Sequence, residues 1–328
     1  MDARDDGRAD GPVPDGPVPD GPVPDGPVPD GPVHDDPVPG DPAPSHDRDA
    51  LIVLLRAGGS VFAEDEYEVL REHAERVGPD GRGDAEEILE LLVDRRVHGE
   101  RIEHIVEHAQ FAELRVQVDF GVFVPRSRTV LLASLVADRL RELRDERGAA
   151  AAPPRLLDFG CGTGAIAALA IHRVPGIEAV AVDSDRFAVA CAERNLPGAR
   201  VVLAGSALAL ATGEAGAAGQ GRISASAPFD VIAANLPYVP TSQLQLLPHG
   251  ILESEPRTAL DGGHDGLDPL GEHALALGAL LRDGGMLITE IAPHQAELGT
   301  EILELAGFRG IEVRSDEALD ATVLLGWR

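Results

Sequence analysis

Apolar positions recur at helical spacing over the first patterned part of the chain, then give way to short apolar runs alternating with helical segments. Leu51, Val53, Leu54 and Leu55 open one run, which Gly58 and Gly59 break. Tyr67, Val69 and Leu70 begin a second, Ile88 to Val93 form a third, and Ile102, Ile105 and Val106 a fourth at i, i+3, i+4. This predicts a helical bundle over residues 49–112 that could barely stand alone and is expected to pack on the domain after it. Leu114-Arg115-Val116-Gln117-Val118 alternates, Asp119-Phe120-Gly121 reads as a turn, and Val122-Phe123-Val124 as a returning strand. That pattern predicts a β-hairpin linker within 113–128. Pro125 to Thr129 then caps a helix from about Val130 to Arg144.

From Arg155 the period changes. Arg155 to Phe159 is a buried strand, followed by Gly160-Cys161-Gly162-Thr163-Gly164 and a helix from Ala165 to Arg173. Ile177 to Val182 is a second strand ending in Asp183, Asp185 to Asn195 a helix, and Val201 to Ala204 a third strand. Residues 211–228 read as a surface insertion. Phe229 to Ala234 is a fourth strand, Met286 to Ile291 a fifth, Gln295 to Ala306 a helix, with Ile311 to Val313 and Thr322 to Leu325 closing the sheet. Strand–helix alternation of this kind predicts a doubly wound α/β domain over residues 129–328.

Composition changes the picture mainly at the N-terminus. Residues 1–48 carry GPVPD units from Gly11 to Asp35, and alternating Pro, Gly and Asp predict a disordered, partly polyproline-like tail. The chain has 56 acidic and 28 basic residues, every basic one Arg. Such a surface repels phosphate backbones, which argues against a nucleic-acid partner. Two cysteines, Cys161 and Cys191, are too few for a disulfide scaffold or a metal knuckle. No apolar run reaches the roughly 20 residues of a membrane span, and the Asp-rich start is no secretory signal. A reduced, cytoplasmic location is expected. His98, His104 and His108 read as solvated surface histidines, and neither they nor His264, Asp265 and Asp268 are taken as a metal site.

The candidate chemistry lies at two strand ends. Glycines between a buried strand and a helix let a ligand approach the backbone under the helix N-terminus. Asp183, about 20 residues further on, is placed for the two hydroxyls of a ribose. Both suit an adenosine cofactor without saying which. Asn235-Leu236-Pro237-Tyr238, after the fourth strand, makes a polar cup: the Asn side chain and the next carbonyl can accept from one planar NH2 group, and Tyr238 can stack on its face.

Gly160, Gly162 and Gly164 with Asp158 before them resemble the loop of S-adenosylmethionine-dependent methyltransferases, which implies a Rossmann-like sheet of that class. The cup resembles the N-x-P-Y motif of methyltransferases acting on NH2 groups. Glu255-Pro256-Arg257-Thr258-Ala259-Leu260-Asp261-Gly262-Gly263, then Asp265-Gly266-Leu267-Asp268, resembles the EPRxALxGGxDGLD signature of protein-(glutamine-N5) methyltransferases. Arg95-Arg96, Gly99-Glu100, Phe111, Gly121 to Arg126 and Thr129 are similar to that family's upstream pattern, and the ending from Asp316 to Gly326 to a branch of uncertain substrate. The resemblance spans about residues 50–328.

It implies transfer of a methyl group from S-adenosylmethionine to a protein glutamine, the GGQ glutamine of peptide chain release factors being the family's best-known acceptor. It assigns cofactor binding to Asp158, Gly160, Cys161, Gly162, Thr163, Gly164, Asp183, Ser206, Ala207 and Asn235. Substrate binding falls to Asn235, Leu236, Pro237 and Tyr238, with support from Arg126, Thr129, Glu255 and Arg257, and substrate recognition to the helical bundle. The sequence departs from the pattern at Leu236, where the family has proline, at Val130, where it has an acid, and at Ser206, where an Asp often holds the adenine amino group. Two other readings compete: an RNA or DNA amino-group methyltransferase, and a cofactor-binding protein without catalysis.

Overall fold

The computed structural model describes residues 47–78, 84–148, 150–212 and 228–328. The GPVPD repeats and nearly all of the 211–228 insertion lie outside the described residues. Helices α1 (Arg48–Ala57), α2 (Ala63–Val77) and α3 (Ala85–Val97) and the short α4 (Ile102–Ile105) come first. Asp47 and Asp84 start α1 and α3 by accepting N–H groups two residues on, from Asp49 and Glu86. Their buried positions Leu51, Leu55, Tyr67, Leu70, Leu89, Leu92 and Val93 form one apolar cluster with Ile105 and Val106.

The hairpin does not lie where alternation placed it. Strand β1 (His108–Phe111) pairs antiparallel with β2 (Leu114–Gln117), the turn running through Ala112 at φ 49°. Ala109, Phe111 and Val116 are its buried positions. Gln117, at the end of β2, gives its N–H to Asn195 Oδ1 and its carbonyl accepts from Asn195 Nδ2, both at 2.9 Å. Val122 to Val124 forms no strand and runs as a loop, and the Val122 carbonyl goes to His104 Nε2 at 2.9 Å. That contact corrects a second expectation: His104 is buried beneath the loop, not solvated.

Helix α5 (Thr129–Arg147) leads into the sheet, whose strands are β3 (Arg155–Phe159), β4 (Glu178–Asp183), β5 (Arg200–Leu203), β6 (Phe229–Ala234), β7 (Leu281–Ile291), β8 (Arg309–Asp316) and β9 (Ala321–Trp327). The order is β5-β4-β3-β6-β7-β9-β8, parallel from β5 to β7 and antiparallel at β9 and β8. Helices α6 (Ala165–Arg173) and α7 (Arg186–Asn195) join α5 on one face. Helices α8 (Ala207–Thr212), α10 (Asp268–Leu280) and α11 (Ala296–Leu305) cover the other, and α9 (His249–Ser254) lies in the connection after β6.

Successive side chains divide between the two cores: Leu156, Val231 and Ala233 go to the first, Leu157, Ile232 and Ala234 to the second. All six residues of β6 are buried, which is why it reads as an unbroken apolar run except for Asp230. That carboxylate accepts Arg155 N–H at 2.7 Å and Arg147 Nη1 at 3.1 Å. Helix α10, with Leu270, Ala274 and Leu277 at i, i+4, i+7, adds an element that the sequence reading lacks. Among the described residues no helix is long and apolar enough to cross a membrane.

Candidate active site

The chain runs from β3 outward to β5 and returns to β6 on the far side of β3. The carboxyl ends of β3 and β6 therefore meet at a switch point, where open α/β sheets hold ligands. Phe159 pairs with Ala234, so the glycine loop and the Asn235 cup leave adjacent strands side by side. A Cβ on Gly160 would lie 3.7 Å from the Asn235 carbonyl oxygen and 3.5 Å from Leu236 Cδ2.

The loop takes its shape from backbone bonds. Gly160 and Cys161 both give N–H to the Val182 carbonyl, at 2.8 and 2.9 Å. Gly160, Gly162 and Gly164 stand at φ 74°, 54° and 78°, where a side chain would be strained. Gly162 N–H donates to Asp183 Oδ2 at 2.8 Å and Asp185 N–H to Oδ1 at 2.9 Å, so one carboxylate ties the loop to the end of β4. Burial raises the Asp183 pKa above the usual carboxylate range, and those N–H bonds act against the rise. Burial also pushes the Cys161 thiol up, which leaves it protonated and no nucleophile.

Across the cavity, Asn235 Nδ2 donates to Thr129 Oγ1 at 3.2 Å, which leaves Oδ1 for a ligand. The Tyr238 hydroxyl donates to Glu290 Oε1 at 2.8 Å, and Gln295 Nε2 donates to the Tyr238 carbonyl at 2.9 Å. Burial, then the negative charge of Glu290, holds the phenol protonated. The GGxDG stretch buttresses this turn. Gly262 N–H bonds the Val239 carbonyl at 2.8 Å, and Gln295 also reaches the Asp265 carbonyl at 3.0 Å. Gly266 sits at φ 81°, and a Cβ there would come within 2.3 Å of the Tyr238 oxygen.

Together these walls enclose a cavity of about 440 Å³, in the size range of small-molecule sites. Gly160 to Thr163, Asp183 and the whole Asn235–Tyr238 turn line it, as do Arg126 and Thr129. No group of three or more His, Cys, Asp or Glu among the described residues is placed to hold a metal ion.

A family described as "Methyltransferase small domain" matches residues 140–245. The chain is 31% identical over 237 residues to the release factor glutamine methyltransferase of Moorella thermoacetica, covering 72% of this chain and 78% of that protein. It is 34% identical over 219 residues to the release factor glutamine methyltransferase of Geobacter sulfurreducens, covering 66% and 69%. The chain belongs to the release factor glutamine methyltransferase family. Members of the family use S-adenosylmethionine.

Not every residue that the family resemblance assigned stands at the cavity. Asp158 is fully buried behind the loop: its Oδ2 accepts Ala167 N–H at 3.1 Å, bracing α6, and Oδ1 has no partner. Burial raises its pKa to about 7, and nearby Asp183 adds to the rise. Gly164 is a packing glycine, where a Cβ would come 2.8 Å from Leu196 Cδ1. At the tip of β5 it is Ala204 and Gly205 that line the wall. The Ser206 hydroxyl oxygen accepts Leu208 N–H at 3.1 Å, starting α8, and Ala207, the first residue of that helix, is buried. Glu255 lies behind the cavity, paired with Arg126, and Arg257 is exposed against Asp261.

The family pattern in turn leaves several wall residues unassigned. Pro269, Glu272 and His273 from the start of α10 also line the cavity, with His273 edge-on to Phe159 at 5.2 Å. Glu290 and Gln295 fall outside the pattern too. A carboxylate inside the apolar run Met286–Ile291 was the available signal, because an acid in a buried strand is rare unless something holds it.

Proposed function

We propose that this chain transfers a methyl group from S-adenosylmethionine to the side-chain amide nitrogen of a protein glutamine, the GGQ glutamine of a peptide chain release factor. The observation that carries the reading is the shared cavity. A glycine loop with a ribose-type acid and a strand-end Asn with a free carbonyl beside it face one space.

The residues present fit the cofactor. A Cβ on Gly162 would meet no protein atom within 4 Å, so the loop leaves room at its backbone. Asp183 keeps acceptor capacity beyond the backbone N–H groups it already accepts, which a ribose hydroxyl can use. Thr163, Ser184 and Gly205 complete that half of the cavity. When bound, S-adenosylmethionine supplies a methyl group already made electrophilic by its positive sulfur.

The protein's work is on the acceptor. An amide nitrogen is a poor nucleophile because its lone pair is delocalised into the carbonyl. Asn235 Oδ1 and the Leu236 carbonyl can each accept one hydrogen of the glutamine NH2, which fixes the plane of the amide. Such acceptors favour the nitrogen as positive charge grows on it in the transition state. Tyr238 lines the same turn and confines the amide to it. The nitrogen gains the methyl group as the bond from that carbon to sulfur breaks, and the proton it gives up passes to water.

Leu236 keeps the carbonyl that a proline would offer, so the acceptor survives the departure from the family motif. The helical bundle, joined to the loop at His104 and Val122, is the surface assigned to the protein substrate. A formal net charge of −28 is poorly suited to a nucleic-acid acceptor. Incubation with isotopically labelled cofactor and a release factor, followed by tandem mass spectrometry, tests the reading. The expected result is one methyl on the GGQ glutamine side chain; label on rRNA alone would reject it.

A further inference from the structure

An asparagine cup works only if Asn235 presents oxygen, not NH2, to the substrate. The two ends of an Asn amide have nearly the same shape, and neighbouring hydrogen bonds decide which faces where. Here Nδ2 is held by Thr129 Oγ1 at 3.2 Å. A hydroxyl that accepts in one direction must send its own hydrogen in another.

Glu290 is an acceptor placed for it, since the Thr129 side chain contributes to the electrostatics of that carboxyl. It follows Thr289, which pairs with Ala234 just before the cup, so β7 delivers it beneath Asn235 and Tyr238. Its side chain is buried, and Oε1 accepts the Tyr238 hydroxyl at 2.8 Å. Oε2 is buried with no partner in ordinary hydrogen-bond geometry. Burial favours the neutral acid. Against it act the hydroxyls of Thr129 and Tyr238 and the positive charges of Arg128 and Arg126.

We propose that Glu290 is the positioning residue of the cup. As a carboxylate it can only accept, so it draws the hydrogens of the Thr129 and Tyr238 hydroxyls toward itself. Thr129 is then left with a lone pair for Asn235 Nδ2, and Asn235 Oδ1 faces the incoming amide. The free Oε2 is the acceptor for the Thr129 hydrogen, a bond that shortens in the substrate complex as catalytic hydrogen bonds commonly do. Glu290 touches neither substrate nor cofactor; it acts through Thr129 and Tyr238. This inference rests on the reading of Asn235 as the amide acceptor.

Glu290→Gln is the discriminating variant, because it keeps the shape but brings a donor where only acceptors belong. Its kcat on a release-factor substrate is expected to fall on the order of 100-fold. KM for the protein, cofactor affinity by calorimetry and Tm should stay near the wild-type values. Thr129→Val, which removes the hydroxyl at constant volume, should cost a similar factor, and Thr129→Ser should recover most of it. The double variant Glu290→Gln with Thr129→Val should be little worse than either single, since both break one chain of bonds. Wild-type kcat should fall on the acid side as Glu290 takes a proton, and Glu290→Gln should lack that limb.

A Glu290→Gln enzyme within about threefold of wild type, or multiplicative losses in the double variant, would overturn the proposal. If Glu290→Gln loses Tm and cofactor binding along with kcat, the residue is structural and the proposal also fails. Asn235→Ala measured alongside separates the two levels. Full activity there removes the cup itself, whereas an inactive Asn235→Ala beside an active Glu290→Gln removes only the role given to Glu290.

Discussion

Arg126 holds a single nitrogen, Nη2, 2.8 Å from each carboxylate oxygen of Glu255. Arg101 Nε, just ahead of α4, stands 3.5 Å from the same carboxylate, and the Phe123 ring lies 4.7 Å from the Arg126 guanidinium carbon. The Glu255 side chain has no exposed surface. Burial opposes both charges, pulling the Arg126 pKa down and the Glu255 pKa up, while their mutual attraction counters each shift. With Arg101, the pair joins the end of the helical bundle to the segment that enters α5 and to the loop after the cup.

Removing one partner strands the other charge. Glu255→Ala and Arg126→Ala are each expected to destabilise the fold by roughly 3–5 kcal/mol. The double variant should lose clearly less than the sum. Urea unfolding of the three variants checks this; additive losses would mean the ions are not coupled.

Asp158 gives a pH signature. Burial lifts it from 3.8 to about 7, so the folded chain holds this proton more tightly than the unfolded one. Below about pH 4 both states are protonated and nothing is lost. Between about pH 4 and 7 the unfolded chain ionises first, so Asp158 lowers stability progressively and the loss levels off above that window. Asp158→Asn should remove this slope and gain on wild type as pH rises, by up to roughly 4 kcal/mol. Parallel stability profiles for the two proteins across that range would contradict the assignment.

Asp183→Asn keeps one acceptor but loses the charge that ties Gly162 to β4. Affinity for S-adenosylmethionine is expected to fall roughly 10- to 100-fold, the worth of one or two charged hydrogen bonds. Isothermal calorimetry measures it, and unchanged affinity would remove Asp183 from the ribose site.

Much of the fold could be read from the residues because its signals are local. Strands β3, β4, β6 and β9 announced themselves as apolar runs, and the glycine loop and strand-end Asp lay where a nucleotide-type site needs them. What failed was long-range or ambiguous. Nothing in His108–Phe111 says that it will pair with Leu114–Gln117, because a four-residue alternation fits helix end and strand alike. His104 could not be seen to be buried until the Val122 carbonyl came over it. At the site, Gly160 to Thr163, Asp183 and the cup were legible from motif and spacing. Ser206 was less legible: only the course of α8 shows that its oxygen starts a helix and that Gly205 lines the wall. Glu290 belongs to the same class, since its meaning depends on which strand lies beside β6.

Gly266 tests the buttress under Tyr238. Ala there meets both a positive φ and the Tyr238 carbonyl oxygen, so Gly266→Ala should move the cup. Methyl transfer is expected to drop by on the order of tenfold or more, with cofactor affinity unchanged. Measuring both on one preparation checks it. Loss of cofactor binding instead would show that the loop supports the other half of the cavity.

Asn235 carries the proposed chemistry most directly. In a single-turnover assay with saturating cofactor and release factor, Asn235→Ala should transfer methyl on the order of 100- to 1,000-fold more slowly, with cofactor affinity by calorimetry within a few-fold of wild type. A transfer rate close to that of the unaltered enzyme would contradict the amide-acceptor role.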